Sequence, residues 1–251
     1  MYLLDLLINL LLGLVLGTVG GLFGIGGGLI AIPALGVLFG LDQQLAQGTA
    51  LVMVVPNVLL AVWRYHQRNR IDLRYALTLG ITSFIFAVIG ARWAVSQDPG
   101  LMRQAFVVFL LLLAAYNFTR LYFRPQAGST TLRYPWPWLA PLGALAGIAG
   151  GLLGVGGAVV ATPVLTSVFG TTQVMAQGLS LALAVPSTSV TLVSYSLHGQ
   201  VDWGMGIPLA VGGLLSISWG VKLAYGLPER RLKLLFCAFL VICAVGLGLK
   251  G

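Results

Sequence analysis

Charge is what this sequence has least of. Of its 251 residues 14 are basic and 6 acidic, so charged side chains make up 8%, against about a quarter in an ordinary soluble domain. That is too little polar surface for a water-soluble domain of this length, and a soluble globular enzyme is excluded. At 58% hydrophobic, the chain is also far from the composition of disordered segments. The net charge of +8 does not point to nucleic acid, because in so apolar a chain basic residues mark membrane edges. Cysteine is scarce too. Cys237 and Cys243 share one apolar run, at a spacing that is neither a CxxC pair nor a zinc pattern, and they read as small apolar fillers. No metal site and no cofactor are expected. No GxxxxGK[ST] loop occurs, which argues against ATP-driven transport by this chain alone. Nor does an acid–base constellation stand out. Asp5, Asp42 and Asp98 fall at segment ends, and Ser187, Ser189 and Ser194 share a segment with His198 without anything that brings them together. The chain is not expected to be an enzyme.

What the sequence has is apolar length and glycine, 34 of them. A spanning helix needs about 20 apolar residues. Polar and turn signals cut the chain into apolar segments at 2–23, 27–40, 44–65, 73–96 and 101–123, then 137–153, 157–170, 173–197, 203–226 and 231–249. The first, which carries Asp5 and no basic residues ahead of its apolar stretch, reads as a membrane helix and not as a cleaved signal. The second segment of each half is too short to cross comfortably, follows a glycine cluster and contains a proline. The first two segments of each half are therefore expected to form a broken or re-entrant helical hairpin.

The halves repeat. At an offset of 130 residues, Gly20 to Leu35 (GGLFGIGGGLIAIPAL) lies over Gly150 to Leu165 (GGLLGVGGAVVATPVL) without a gap. In the same frame Gln47 meets Gln177, Pro56 meets Pro186, Tyr65 meets Tyr195, Asp72 meets Asp202 and Arg92 meets Lys222. Matching Gln, Pro, Asp and Gly clusters in one frame is more than shared apolar composition gives. The period is too long for a solenoid and fits an internally duplicated transporter. The charges orient the halves. Arg64, Arg68, Arg70 and Arg74 occupy one loop of the first half, and the matching loop of the second has only His198 and Asp202. In the following loop the bias reverses, with Lys222, Arg230, Arg231 and Lys233 in the second half. Basic short loops stay in the cytoplasm, so matching loops lie on opposite sides. The expectation is an all-α integral membrane protein of two inverted repeats, 1–123 and 137–251, joined by a cytoplasmic linker at 124–136, with both termini outside.

Inverted-repeat transporters bind substrate where discontinuous helices meet. Here the breaks run from Gly24 to Gly28 in one half and from Gly154 to Gly157 in the other, with Gly26, Gly27, Gly28, Gly156 and Gly157 as the candidate substrate contacts. Glycine lets the backbone unwind and approach a ligand, and the short helix that follows offers free N–H groups to an anion. The same glycines could serve close helix packing alone. Gln47 and Thr49, with Gln177 and Ser180, open the next segments and supply neutral donors, or else helix caps. Arg92 and Lys222 could draw anions into a pathway or snorkel to headgroups. His66 and His198, near Asp72 and Asp202, could couple protons or cap helices. The tryptophans suit an interfacial belt.

The motifs GIGGGLIAIP (24–33) and QGT (47–49), repeated as GVGGAVVATP (154–163) and QGLS (177–180) and followed by HGQVDW (198–203) and WGVK (219–222), resemble the sulfite exporter TauE/SafE family, also called the toluene sulfonate uptake permease family. The likeness covers nearly the whole chain. It implies a secondary carrier for sulfite or a related organosulfur anion, such as a sulfonate or thiosulfate, in a bacterial inner membrane. The second copy departs from the pattern at Ala158 and Leu179. A distant thiosulfate-type relation has functional cysteines in its pore. Cys237 and Cys243 lie away from the glycine motif, and that chemistry is not carried over. The competing expectations are a passive anion channel on the same fold and an accessory membrane subunit.

Overall fold

The structure, a computed structural model, describes residues 2–23, 26–68, 72–122, 132–226 and 229–249. It is all helical. In chain order the helices are α1 (Tyr2–Phe23), α2 (Gly28–Phe39), α3 (Gln43–Arg68), α4 (Leu73–Val95), α5 (Pro99–Tyr122), α6 (Leu139–Leu153), α7 (Ala158–Ser167), α8 (Gln173–Leu197), α9 (Trp203–Gly226) and α10 (Glu229–Leu249). A 3-10 turn, Trp136–Trp138, leads into α6. Among the described residues six helical stretches are long and apolar enough to cross a membrane, in α1, α3, α4, α5, Trp136–Leu153 and α8. With 12 and 10 residues, α2 and α7 reach only about 18 and 15 Å, against a hydrocarbon core of about 30 Å. Gly24, Ile25, Arg70 and most of the 124–136 linker lie outside the described residues.

Acidic and hydroxyl side chains set the helix starts. Asp72 accepts the N–H of Arg74 at 2.8 Å ahead of α4, and Thr172 accepts that of Met175 at 3.3 Å ahead of α8. Asp98 Oδ2 accepts from Gly100 at 2.8 Å and Leu101 at 3.1 Å to open α5. Asp202 Oδ1 accepts from Met205 at 3.0 Å to open α9. Each satisfies donors that a helix start leaves without an acceptor.

The chain divides into two compact units, and each takes helices from both halves of the sequence. The first comprises 1–53, 97–125 and 201–251, the second 54–96 and 126–200, so α3 passes from one to the other after Met53. In the first unit α1 packs along α9, and α10 along α5 and α2. In the second α6 packs along α4, with α8 against α4 and α7. Glycine sets the closeness of the two main helix pairs. A Cβ at Gly17 would lie 2.5 Å from the Cα of Gly213, and one at Gly147 would lie 2.8 Å from the Cα of Ser83. These are helices in backbone contact, the small-residue packing that membrane helices use where no hydrophobic effect draws them together.

Outward faces carry large apolar side chains throughout. Leu11, Ile81, Ile85, Leu112, Leu215 and Ile242 are all exposed. In water such continuous apolar surface would be an aggregation liability; against lipid it is the expected exterior. All six tryptophans (Trp63, Trp93, Trp136, Trp138, Trp203 and Trp219) are exposed and cluster toward helix ends, where an aromatic belt meets the headgroups.

Candidate functional site

In the first unit the break is built on Gly26 and Gly27, at φ +71° and +90°. Both values lie in the left-handed region, which glycine reaches without steric cost. The carbonyl of Gly27 accepts from Ile30 at 3.1 Å and Ala31 at 2.9 Å, which starts α2. The turn rests on α1, because a Cβ at Gly20 would meet the Cα of Gly27 at 2.5 Å. Its other side faces α3, where Met53 Cε lies 2.9 Å from the place a Gly27 Cβ would take. Gly28 is buried in the first turn of α2.

The second unit builds the same object. Gly154, Gly156 and Gly157 have φ of +69°, +76° and +70°. The Gly157 carbonyl accepts from Val160 and Ala161, each at 3.0 Å, to start α7. A Cβ at Gly150 would lie 2.6 Å from the nitrogen of Gly157, and Leu183, the counterpart of Met53, is 3.2 Å from a Cβ on Gly157. This break is also fastened to α8. Ser187 Oγ donates to the carbonyl of Gly156 at 3.0 Å, and a Cβ on Gly156 would run into Thr188 Cγ2.

The flanking residues take several places. Gln47 and Thr49 are wholly buried in α3. Gln47 lies six residues before Met53, and Gln177 six before Leu183, so each precedes the residue that touches its break by about 9 Å of helix rise. Ser180 is one turn from Leu183 and 1% exposed, and its Oγ is buried without a hydrogen-bond partner. Thr49 is engaged elsewhere. Its Oγ1 accepts the backbone N–H of Asp202 at 3.0 Å, which ties α3 to the start of α9. The repeat has Leu179 at the matching position, where no such tie can form. Arg92 and Lys222 are both exposed, the position that snorkelling to headgroups requires. Asp72 and Asp202 act as helix caps, and His198 Nδ1 pairs with the carbonyl of Ser194 at 2.7 Å.

Sequence reasoning missed the residues that meet the breaks from the following helix, namely Met53 in α3 and Ser187 and Thr188 in α8. A polar run beyond Pro186 was the available signal. Ser187, Thr188 and Thr191 are all wholly buried, and a buried hydroxyl inside a membrane helix must find an acceptor in its own helix or a neighbour. Here they bond along the helix, Thr188 Oγ1 to the Ala184 carbonyl at 2.7 Å and Thr191 Oγ1 to that of Ser187 at 2.6 Å. Cys237 and Cys243 are buried in α10, and the Cys237 thiol donates weakly to the Ala114 carbonyl at 3.8 Å.

Comparison with known proteins bears on this geometry. A family model described as Sulfite exporter TauE/SafE matches residues 9–247. A probable membrane transporter protein of Methanocaldococcus jannaschii is 25% identical over 238 residues, 88% of this chain and 87% of that protein. The probable membrane transporter YunE of Bacillus subtilis is 24% identical over 254 residues, 92% and 93% of the two chains. A probable membrane transporter of Xylella fastidiosa is 27% identical over 210 residues, 81% and 79% of the two.

Proposed function

The chain belongs to the sulfite exporter TauE/SafE family, and from that premise we propose that it is a secondary carrier that moves sulfite or a related organosulfur anion, a sulfonate or thiosulfate, by alternating access. The family is one of membrane transporters, which are not enzymes. The observation that carries the reading is the doubled break. Two left-handed glycine turns, each opening a helix too short to span and each buttressed by a glycine seven residues earlier, occur once in each half. Each break is a candidate anion site, in which the first N–H groups of α2 or α7 present a positive dipole end to anionic oxygens. Gly26, Gly27, Gly28 and Gln47 belong to the first, with Thr49 able to donate its hydroxyl proton while its oxygen holds the Asp202 N–H, and Gly156, Gly157, Gln177 and Ser180 belong to the second. Neutral donors suit an anion that must be released again. Arg92 and Lys222 set the potential at the mouths.

The reading includes two inverted repeats. The packing supports the duplication, because residues 130 apart in sequence meet matching partners inside each unit. Gly13 of α1 lies against Leu209 of α9, and Gly143 of α6 against Leu79 of α4. Gly220 of α9 lies against Thr18 of α1, and Gly90 of α4 against Ile148 of α6. Both members of each correspondence sit 130 residues apart. The reversed loop charges favour inversion, with the linker cytoplasmic, both termini outside and the bacterial inner membrane as the location.

The test is a thermal-shift series on detergent-purified protein with sulfite, thiosulfate, sulfoacetate, sulfate and chloride at matched ionic strength, since a ligand that binds only the folded state raises its stability. A shift selective for one sulfur anion, with saturable counterflow of that anion in proteoliposomes, is the expected result. Unitary currents without counterflow would make the protein a channel, and the absence of any selective shift would overturn the substrate class.

A further inference from the structure

A recess of different character lies at the far end of α2, about 18 Å of helix rise from the break in the same unit. Here Gly40, at φ +71°, ends α2 and turns the chain into Leu41 and Asp42, and the starts of α3 and α5 come alongside. They enclose about 190 Å³, lined by Asp42, Gln43, Gly100, Arg103 and Leu247 among others. That is space for several waters or one small polyatomic ion. The walls are fastened. Gln44 Nε2 donates to the carbonyl of Gln97 at 2.9 Å, which pins the start of α3 to the turn ahead of α5. The Asp98 carboxylate is turned onto the first N–H groups of α5.

Gln43 is the residue these contacts leave unexplained. It is 4% exposed, and its Nε2 is buried without a hydrogen-bond partner. Buried amide donors in folded proteins have acceptors with few exceptions, and a residue lining a recess can take one from outside the chain. Arg103, half-buried on α5, adds a planar guanidinium whose fork of donors matches an oxyanion. The starts of α3 and α5 add the positive ends of two helix dipoles. Asp42 is exposed, and its carboxylate opposes an approaching anion.

We propose that this recess is an oxyanion site distinct from the glycine breaks, with Gln43 Nε2 and the Arg103 guanidinium as donors and Asp42 as a charge that weakens and filters binding. The oxyanion is either a free ion or the phosphate of a lipid headgroup. The geometry of α2 and the charge of the lining carry this site, and it stands whether or not the breaks bind sulfite.

The experiment uses the full chain carrying Gln47→Ala and Gln177→Ala, which weaken the proposed carrier site, with sulfite and inorganic phosphate as free probes in calorimetric titrations. In a parallel arm the same protein is placed in nanodiscs of phosphatidylglycerol or of phosphatidylcholine. Asp42→Asn, which keeps a cap-competent side chain, is expected to tighten binding several-fold. Arg103→Gln and Gln43→Leu are each expected to weaken it tenfold or more, and Leu247→Trp, which fills the recess without removing a donor, to abolish it. Loss of free-anion binding in phosphatidylglycerol but not in phosphatidylcholine assigns the site to the headgroup; retention in both assigns it to the free ion. Binding that is insensitive to all four substitutions, or Asp42→Asn protein that binds neither probe nor anionic lipid, overturns the proposal.

Discussion

Gly147→Ala tests whether the glycines of α6 are there for backbone contact with α4. The added Cβ would lie 2.8 Å from Ser83 Cα and 3.0 Å from its carbonyl carbon, where carbon pairs settle at about 3.5–4.0 Å. The obstruction is backbone, so no side chain can rotate away. The helices must part by about 1 Å along a stripe that Gly143 and Gly151 hold equally close. Overpacking costs about 1–3 kcal/mol, and a rigid obstruction belongs at the upper end. Alanine returns up to about 1 kcal/mol in helix propensity, which leaves a net loss of about 2 kcal/mol. Gly80→Ala in α4 is the matched control. The nearest atom to its Cβ is Pro186 Cγ at 3.6 Å, an ordinary contact, so the propensity gain of up to about 1 kcal/mol remains and the sign reverses. The assay is tryptophan-fluorescence melting in detergent, in which Gly147→Ala should lower the apparent Tm by roughly 4–8 °C and Gly80→Ala should raise it or leave it unchanged. A Gly147→Ala protein that melts with the parent, or two variants that fall together, refutes the reasoning.

Thr49→Val removes the acceptor of the Asp202 N–H and should cost about 1–2 kcal/mol; equal melting of Thr49→Val and the parent would show that the tie contributes little. Ser180→Ala deletes a buried hydroxyl without a protein partner, so stability should hold or rise by up to about 1 kcal/mol while the sulfite-induced shift shrinks; a loss of stability in the absence of anion contradicts the assignment. Gly157→Ala should reduce the yield of monodisperse protein, because φ of +70° costs a side chain about 1–2 kcal/mol and the new methyl meets the carbonyl of Ala146. A well-folded Gly157→Ala with an unchanged melt would mean that the turn can relax.

The apolar segments were legible because a membrane helix declares itself locally, by length and by the polar residues that bound it. All ten appear, and α1, α8 and α9 have the boundaries expected from sequence. Where boundaries moved, local chemistry moved them. The run that reads as 157–170 stops as a helix at Ser167, because Phe169 and Thr171 fold back onto the carbonyls of Val164 and Leu165 and Gly170 takes φ +68°. The run that reads as 137–153 gains a 3-10 entry because Pro135 and Pro137 flank Trp136. Partner choice was not legible. Nothing local to α1 says that its glycines serve α9, and the spacing Gly13-xxx-Gly17 is satisfied by any helix that can come close. Only the 130-residue offset hinted at the answer, since it makes every contact of one half a hypothesis about the other.

The candidate site divides along the same line. The glycine pattern was visible as a motif, but its meaning was ambiguous, and the structure shows why substituting those glycines cannot resolve it. Gly26, Gly27, Gly156 and Gly157 are all at positive φ, and Gly27 and Gly157 are packed against the preceding helix as well. Alanine there is costly whether or not an anion ever touches the turn, so a loss of transport in such a variant carries no information about binding. The informative positions are those whose removal leaves the fold intact. Ser180 qualifies, because its hydroxyl has no protein partner. Gln47 and Gln177, each about 9 Å of helix rise before the residue that touches the break, are tested with it. If Ser180→Ala, Gln47→Ala and Gln177→Ala all keep the parent melt and the parent sulfite response, the glycine breaks are architecture and the anion must be sought elsewhere in the chain.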